Sequence, residues 1–589
     1  MFSIDTETGF PEAVLINAAW GLGEAVVQGL VDPDEYMVFK PLLSNKRLLP
    51  IIEKSCGKKA EKIVYSRRKG QATETRNTTK KEQNNFVLED KDIIQLARWA
   101  MVIEKHYSRP MDMEWAKDGI TGELYIVQAR PETVQSRKQV GGLKRYTLKN
   151  SGKLLAKGHS IGDAIAVGEV CKLKSPHEIS RFPKGAILVT GTTDPDWVPL
   201  MKRASAIITD HGGRTSHAAI LSRELGLPAI VGCGNATKVL ANGQEVTASC
   251  AEGEEGFIYS GIGEVVVSDL GDEKIPATRT KVMLNLANPT AALRWWRLPA
   301  DGVGLARMEF IINSIIKIHP LALTRDLKIQ PSEVRKQIVG LTRSYPQRES
   351  YFVDKLAYGI GKIAAVQYPN PVIVRMSDFK TNEYAGLIGG QPFEPKEENP
   401  MLGWRGASRY YSEEYRDGFA LECQAIRKVR EEIGFDNIII MIPFCRTLSE
   451  ADNVIKELSR NGLRRGRKGL EVYVMCEIPA NIILAEQFAE RFDGFSIGSN
   501  DLTQLTLGID RDSERLSSLF SEADGAVLTS IQQVIKKAHR AKRKIGLCGQ
   551  APSDNPEFAR LLVRAGIDSI SVTPDSFARV KQNIALEER

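Results

Sequence analysis

The sequence predicts an α/β protein whose C-terminal half is a (β/α)8 barrel. Two observations point to the barrel. Eight short apolar runs, at 282–286, 302–306, 372–375, 438–442, 472–476, 494–497, 545–547 and 569–572, recur between longer helical stretches. That alternation is the pattern of a barrel with a helix after each strand. Polar residues then stand at or just after the ends of these runs: Arg307, Arg375, Glu477, Asn500, Asp501 and Cys548. The C-terminal strand ends are the face on which barrel active sites are built. A third observation, in 151–260, predicts a smaller α/β unit: short β-like runs at 186–190 and 206–209 precede a helix opened by His217.

The chain divides into blocks 1–135, 151–260 and 281–589, joined by linkers 136–150 and 261–280. At roughly 150 residues per domain, the 589 residues suit three or four domains. The first block opens with Gly21-Leu22-Gly23-Glu24 and closes on two strands, 111–115 and 124–131, joined by a turn-rich connection. Alternation along both strands brings Glu114 and Gln128 to one face, with Arg130 two residues further on. A carboxylate beside an amide oxygen suits magnesium, and a guanidinium fork suits a terminal phosphate. The linkers are polar, with a glycine pair at 141–142 in the first.

In the second block, Gly212-Gly213-Arg214-Thr215-Ser216-His217-Ala218-Ala219-Ile220 reads as the entrance to a helix. Glycines let a backbone approach an anion, and a helix N-terminus offers free N–H groups and a positive dipole end. An imidazole held there is suited to become a phosphohistidine. The other histidines, His106, His159, His177, His211, His319 and His539, have no such context and read as structural or surface residues.

Composition narrows the class. Hydrophobic and charged contents of 42% and 26% are those of an ordinary globular protein. No apolar run approaches the roughly 18 residues of a membrane span, and the acidic start lacks a signal-peptide core. The eight cysteines are scattered without a C-x-x-C pair, as for reduced thiols in a cytoplasmic protein. The net charge of +7 is mild, and the basic clusters at 58–62, 464–468 and 536–544 lack interleaved aromatics. They read as solvated surface rather than a nucleic-acid site.

The His217 segment resembles the phosphorylation site of the phosphoenolpyruvate-utilising enzymes. Thr193-Asp194-Pro195-Asp196-Trp197, Met201-Lys202-Arg203-Ala204-Ser205-Ala206 and the 493–505 stretch extend the resemblance, which runs nearly end to end and is nearest the family's pyruvate, water dikinases. It implies a partial ATP-grasp domain, a swivelling phosphohistidine domain and a phosphoenolpyruvate/pyruvate-binding barrel. It also implies a gluconeogenic reaction in which ATP, pyruvate and water give phosphoenolpyruvate, AMP and phosphate. His217 would carry the phosphoryl group. Glu477 and Asp501 would hold Mg2+, which would chelate pyruvate and stabilise its enolate. Arg307, Arg375 and Arg405 would hold the phosphoryl group in transit, and Ser499 and Asn500 would orient the carboxylate. Cys548 would exchange a proton with the methyl carbon, as a thiol near neutral pKa. Glu114 and Gln128 would bind the metal of MgATP, and Arg130 its phosphate. Thr215 would be the target of a regulatory kinase–phosphorylase, and the barrel would form a homodimer.

The resemblance begins late: in the family, a large nucleotide-binding region precedes the point matched by Met1. The expectation is a truncated chain, a split gene or a separate N-terminal ATP-binding fragment. Pyruvate phosphate dikinase is the alternative activity, less favoured by 193–197 and 371–405. A non-catalytic remnant or regulatory subunit is the alternative outside catalysis.

Overall fold

The computed structural model describes every residue except 69, 133–143, 163, 194–196, 213–215, 226, 253–254, 270–274, 511–515, 517–518 and 550. The chain forms two compact units, Met1–Asp272 and Glu273–Arg589.

The first unit begins with an antiparallel three-stranded sheet, Ala13–Ala18, Asp34–Phe39 and Ile51–Ser55. Helix Asp90–Tyr107 covers it, burying Ile93, Ile94, Leu96, Ala97 and Ala100 on one face while Lys105 and His106 complement its C-terminal dipole. The predicted hairpin is Met111–Lys117 paired with Leu124–Pro131. Next comes a closed barrel of seven strands. Four of them, Ile165–Lys172, Ile187–Thr190, Ala206–Thr209 and Ala229–Val231, run parallel. Helix His217–Leu225 is the crossover between the last two. Its small residues Ala218 and Ala219 are buried against Leu188 and Ile207, so the helix lies close on the sheet. Residues 144–149 and 264–269, from the two segments expected as linkers, pair as an antiparallel ribbon. Alternation around Tyr146 and Leu148 and the run Val265-Val266-Val267 favour extended backbone there.

The second unit is the predicted barrel. Its strands are β1 Lys281–Leu286, β2 Val303–Arg307, β3 Val372–Arg375, β4 Ile438–Ile442, β5 Val472–Cys476, β6 Gly494–Ile497, β7 Lys544–Leu547 and β8 Ser569–Val572. All eight pair in parallel and in chain order, and β1 closes on β8. Leu305, Ile373, Ile439, Met441, Tyr473 and Met475 fill its interior beneath Cys548. Each such aliphatic side chain contributes roughly 1.5–3 kcal/mol on burial. Two of the flanking helices start on side-chain caps: Thr447 Oγ1 accepts from Glu450 N at 3.1 Å, and Asp524 Oδ1 from Ala526 N at 2.8 Å.

Among the described residues, no helix is long and apolar enough to cross a membrane. All eight cysteines are free thiols.

Candidate active site

A cavity of 240 Å³ opens at the C-terminal ends of the barrel strands. Arg307 ends β2, Arg375 ends β3, and Ser499, Asn500 and Asp501 begin the helix after β6. These five, together with Arg405 and Cys548, line the cavity. Glu477, directly after β5, is fully buried beside Gly498, where an added Cβ would stand 2.8 Å from its Oε2. Gly498 therefore leaves the space that this carboxylate fills.

Two of the arginines are fixed by carboxylates that sequence reasoning did not single out. Arg375 donates to Glu309 Oε1 at 2.7 Å, and Asp378 N donates to the same oxygen at 2.7 Å. Arg405 grips Asp378 with two bonds, of 3.0 and 2.5 Å, and reaches Asp501 at 3.4 Å. Its guanidinium also lies over the Phe444 ring, 4.1 Å from the centroid. Burial opposes charge on Arg375, but Glu309, Asp378 and Glu477 more than offset it, so its pKa is raised. Likewise, burial opposes the Asp378 carboxylate, but Arg405 and Arg375 prevail and lower its pKa. The only sequence trace of these partners is their spacing, Arg307-x-Glu309 and Arg375-x-x-Asp378. Lys380 and Glu383, also in the lining, lie on the loop and short helix after β3.

The loop bearing Arg405 is braced from behind. Glu394 accepts both ends of the Arg409 guanidinium at 2.7 Å and pairs with His319 Nε2 at 3.0 Å. His319 Nδ1 accepts from Leu321 N, so the proton sits on Nε2. Arg409 stacks 3.9 Å from the Trp404 ring centroid.

Glu477 Oε1 accepts from Phe444 N at 2.7 Å, whereas Oε2 is buried without a hydrogen-bond partner among the described residues. Burial, then the charges of Asp501 and Asp378, push the Glu477 carboxyl well above its usual pKa. The cavity lining balances four cations against four carboxylates, and Glu477 below adds an unmatched fifth. An orphaned carboxylate oxygen, excess negative charge and an all-oxygen donor pair fit a hard divalent cation. Among the described residues, no group of three or more His, Cys, Asp or Glu side chains could hold a metal. The protein would thus supply Glu477 and Asp501, with substrate and water oxygens completing the shell.

Two expectations change in detail. Cys548 is not a near-neutral thiol: burial raises its pKa, only partly countered by Ser496, Arg375 and Arg307. Its S–H points at Ile497 O, 3.6 Å away. Ser499 donates to Glu522 Oε1, so its hydroxyl is already engaged.

A second buried carboxyl stands behind β3. Glu422 accepts Ser377 Oγ at 2.5 Å and Ser377 N at 3.2 Å, and Tyr415 Oη donates to it at 3.3 Å. Burial raises its pKa to about 7, against Ser377's hydrogen bonds. The folded state thus keeps a proton that the unfolded chain releases near pH 4.5. This stabilisation is complete below that pH and fades as pH rises through 7; it is on the order of 3 kcal/mol. Glu422→Gln keeps a neutral acceptor, so its denaturation midpoint should gain on wild type between pH 5 and 8. Parallel pH slopes for the two proteins would exclude this role.

In the first unit, Glu114 and Gln128 are direct cross-strand partners on an exposed face. Arg130 pairs with Asp112 at 2.8 Å. His217 is the first residue of its helix, which follows strand Ala206–Thr209. Gly213, Arg214 and Thr215 lie outside the described residues. Ser216 is buried and its hydroxyl is unpartnered among the described residues. Added Cβ atoms on Gly29 and Gly212 would stand 3.0 Å from its Cβ and 2.8 Å from its hydroxyl.

Comparison with known proteins agrees with this layout. The family profile of the PEP-utilising enzyme, PEP-binding domain, matches residues 266–589. That of the pyruvate phosphate dikinase AMP/ATP-binding domain matches 1–149, and that of the PEP-utilising enzyme mobile domain matches 182–253. The phosphoenolpyruvate synthase of Synechocystis sp. is 54% identical over 100% of this chain and 73% of its own length. Those of Aquifex aeolicus and Escherichia coli are 50% and 49% identical, over 98% and 99% of this chain and 74% of their own lengths. The chain belongs to the phosphoenolpyruvate-utilising enzyme family, among its phosphoenolpyruvate synthases.

Proposed function

We propose that the chain interconverts pyruvate and phosphoenolpyruvate on the barrel rim, with His217 as phosphoryl carrier. In the whole reaction, ATP phosphorylates the carrier and pyruvate and water are the two acceptors. The observation that carries this reading is the rim cavity itself. It joins three arginines, two of them held by carboxylates, with a protonated thiol and Asp501, and the buried Glu477 carboxyl lies against its Gly498 wall.

Phosphoryl transfer needs positioning and charge stabilisation more than covalent help. Arg307, Arg375 and Arg405 would hold the transferring group, and Glu309 and Asp378 would keep Arg375 and Arg405 aimed. Magnesium between Glu477 and Asp501 would supply Lewis-acid stabilisation of the enolate oxygen. In the pyruvate-forming direction, the Cys548 S–H gives its proton to the methylene carbon of the enolate. A C–H bond forms, the S–H bond breaks, and the thiolate is left facing the charges of Arg375 and Arg307. The reverse step returns the proton to sulfur. A raised thiol pKa keeps the proton on sulfur before transfer and makes the thiolate left behind a stronger base for the reverse step. Asn500 would orient the substrate carboxylate, with Ser499 held by Glu522 beside it.

On the nucleotide side, Glu114 and Gln128 would take the metal of MgATP and Arg130 its phosphate. Their exposure on one hairpin face supports that assignment. The regulatory role of Thr215 is part of the same reading, as is a reducing, cytoplasmic setting, supported by the eight free thiols.

The barrel chemistry is tested without nucleotide. In D2O with magnesium and phosphate, the chain should exchange the methyl protons of pyruvate for deuterium, followed by proton NMR. Cys548→Ala should slow this exchange by about 10²–10⁴-fold, the range of general acid–base catalysis. Exchange at the wild-type rate in Cys548→Ala would remove the thiol from the mechanism.

A further inference from the structure

We propose a second anion-binding site on the opposite face of the barrel, taking a small, multiply charged oxyanion such as a phosphate ester, a diphosphate or a tricarboxylate. A cavity of 390 Å³ lies there, lined by Arg427, Arg460, Arg467, Lys468 and a single carboxylate, Glu431. Its walls are the end of helix Arg416–Arg427, the end of helix Leu448–Arg460, and the loop that leads into β5. These segments precede strands, so they belong to the face away from the catalytic rim. The site is independent of the chemistry assigned to that rim.

Charge on this surface is not compensated. Glu431 pairs with Lys468 at 2.9 Å and with Arg427 at 3.8 Å. Arg460 pairs with Glu457 at 2.9 Å. Arg467 has no ion-pair partner among the described residues, and two acids face four bases. Arg430 adds a further charge from behind. Among the described residues its hydrogen bonds go to carbonyls: Asp436 O at 2.8 Å, Ile438 O at 2.6 Å and Lys468 O at 2.8 Å.

The loop is also built to hold its shape. Lys468 adopts φ +53°, a left-handed conformation unfavourable for a side-chain-bearing residue. The bond from Arg430 to its carbonyl, and that from Gly466 N to Leu470 O at 2.8 Å, hold it there. Arg427 is admitted by Gly462, where an added Cβ would stand 3.0 Å from its Nε. Solvated surface lysines need no such framework. Arginine forks converging on a concave wall match the paired oxygens of phosphoryl and carboxylate groups.

The test is calorimetric titration of the full chain with pyrophosphate, and separately with citrate, at constant ionic strength. The wild type should show a saturable site that Arg460→Ser/Arg467→Ser weakens at least ten-fold. Arg467→Glu, which leaves the Arg460–Glu457 pair intact, should weaken it equally. Tighter pyrophosphate binding assigns the site to phosphoryl compounds, and tighter citrate binding to polycarboxylates. Identical isotherms for wild type and both variants would overturn the proposal, as would the absence of saturable binding in the wild type.

Discussion

Replacing His217 by alanine should abolish phosphate transfer from phosphoenolpyruvate to the chain. Wild-type protein incubated with 32P-labelled phosphoenolpyruvate and magnesium should acquire an acid-labile, base-stable phosphate, the signature of a phosphoramidate. The loss in His217→Ala should be complete, because no other group replaces an imidazole nitrogen as acceptor. Position supports this assignment. His217 begins a helix whose first N–H groups are unpaired within the helix and whose dipole favours an arriving anion. His211, the other histidine of that loop, precedes the helix, and its backbone N is bonded to Gly191 O at 2.9 Å. Label that survives in His217→Ala, or that maps to His211, would contradict the assignment.

Glu477→Gln should lower magnesium-dependent methyl exchange on pyruvate by about 10³-fold, the scale of losing one preorganised electrostatic group. The amide oxygen can still accept the Phe444 N–H, so the bond that seats the side chain survives. The charge is lost, and with it one of the two carboxylates offered to the cation. Circular dichroism should be unchanged, and the magnesium concentration for half-maximal rate should rise. An amide needs no proton to sit in this buried place, so without magnesium the variant should resist denaturant better than wild type near neutral pH. Full activity of Glu477→Gln at limiting magnesium would exclude the residue from the site.

The barrel was legible because its strands are buried on both faces and read as uninterrupted apolar runs. The expected runs and the observed strands differ at most by a residue at either end: Lys281 and Lys544 extend β1 and β7, and β2 is Val303–Arg307 rather than 302–306. The rim residues Arg307, Arg375 and Glu477 were legible for the same reason, since polar side chains at the ends of such runs stand out. Their partners were not. Glu309 and Asp378 are ordinary acidic residues in sequence, and their meaning comes from which guanidinium the fold sets beside them. Arg405, thirty residues past β3, was reached only through resemblance; no local pattern ties it to Asp378. The ribbon of 144–149 with 264–269 joins segments more than a hundred residues apart, beyond the reach of local periodicity. Cys548 shows a different gap. Flanking glycines mark a place of close approach, but acidity is set by burial, which a sequence does not state.

The most direct test of the account is isotope exchange between 14C-pyruvate and unlabelled phosphoenolpyruvate, catalysed by the purified chain with magnesium and without nucleotide. This exchange requires the barrel rim to accept both molecules and His217 to shuttle one phosphoryl group between them. Label should enter phosphoenolpyruvate, chelation of magnesium should stop it, and His217→Ala and Glu477→Gln should each lack it. A wild-type chain that labels no phosphoenolpyruvate, or a His217→Ala chain that labels it at the wild-type rate, would contradict the account.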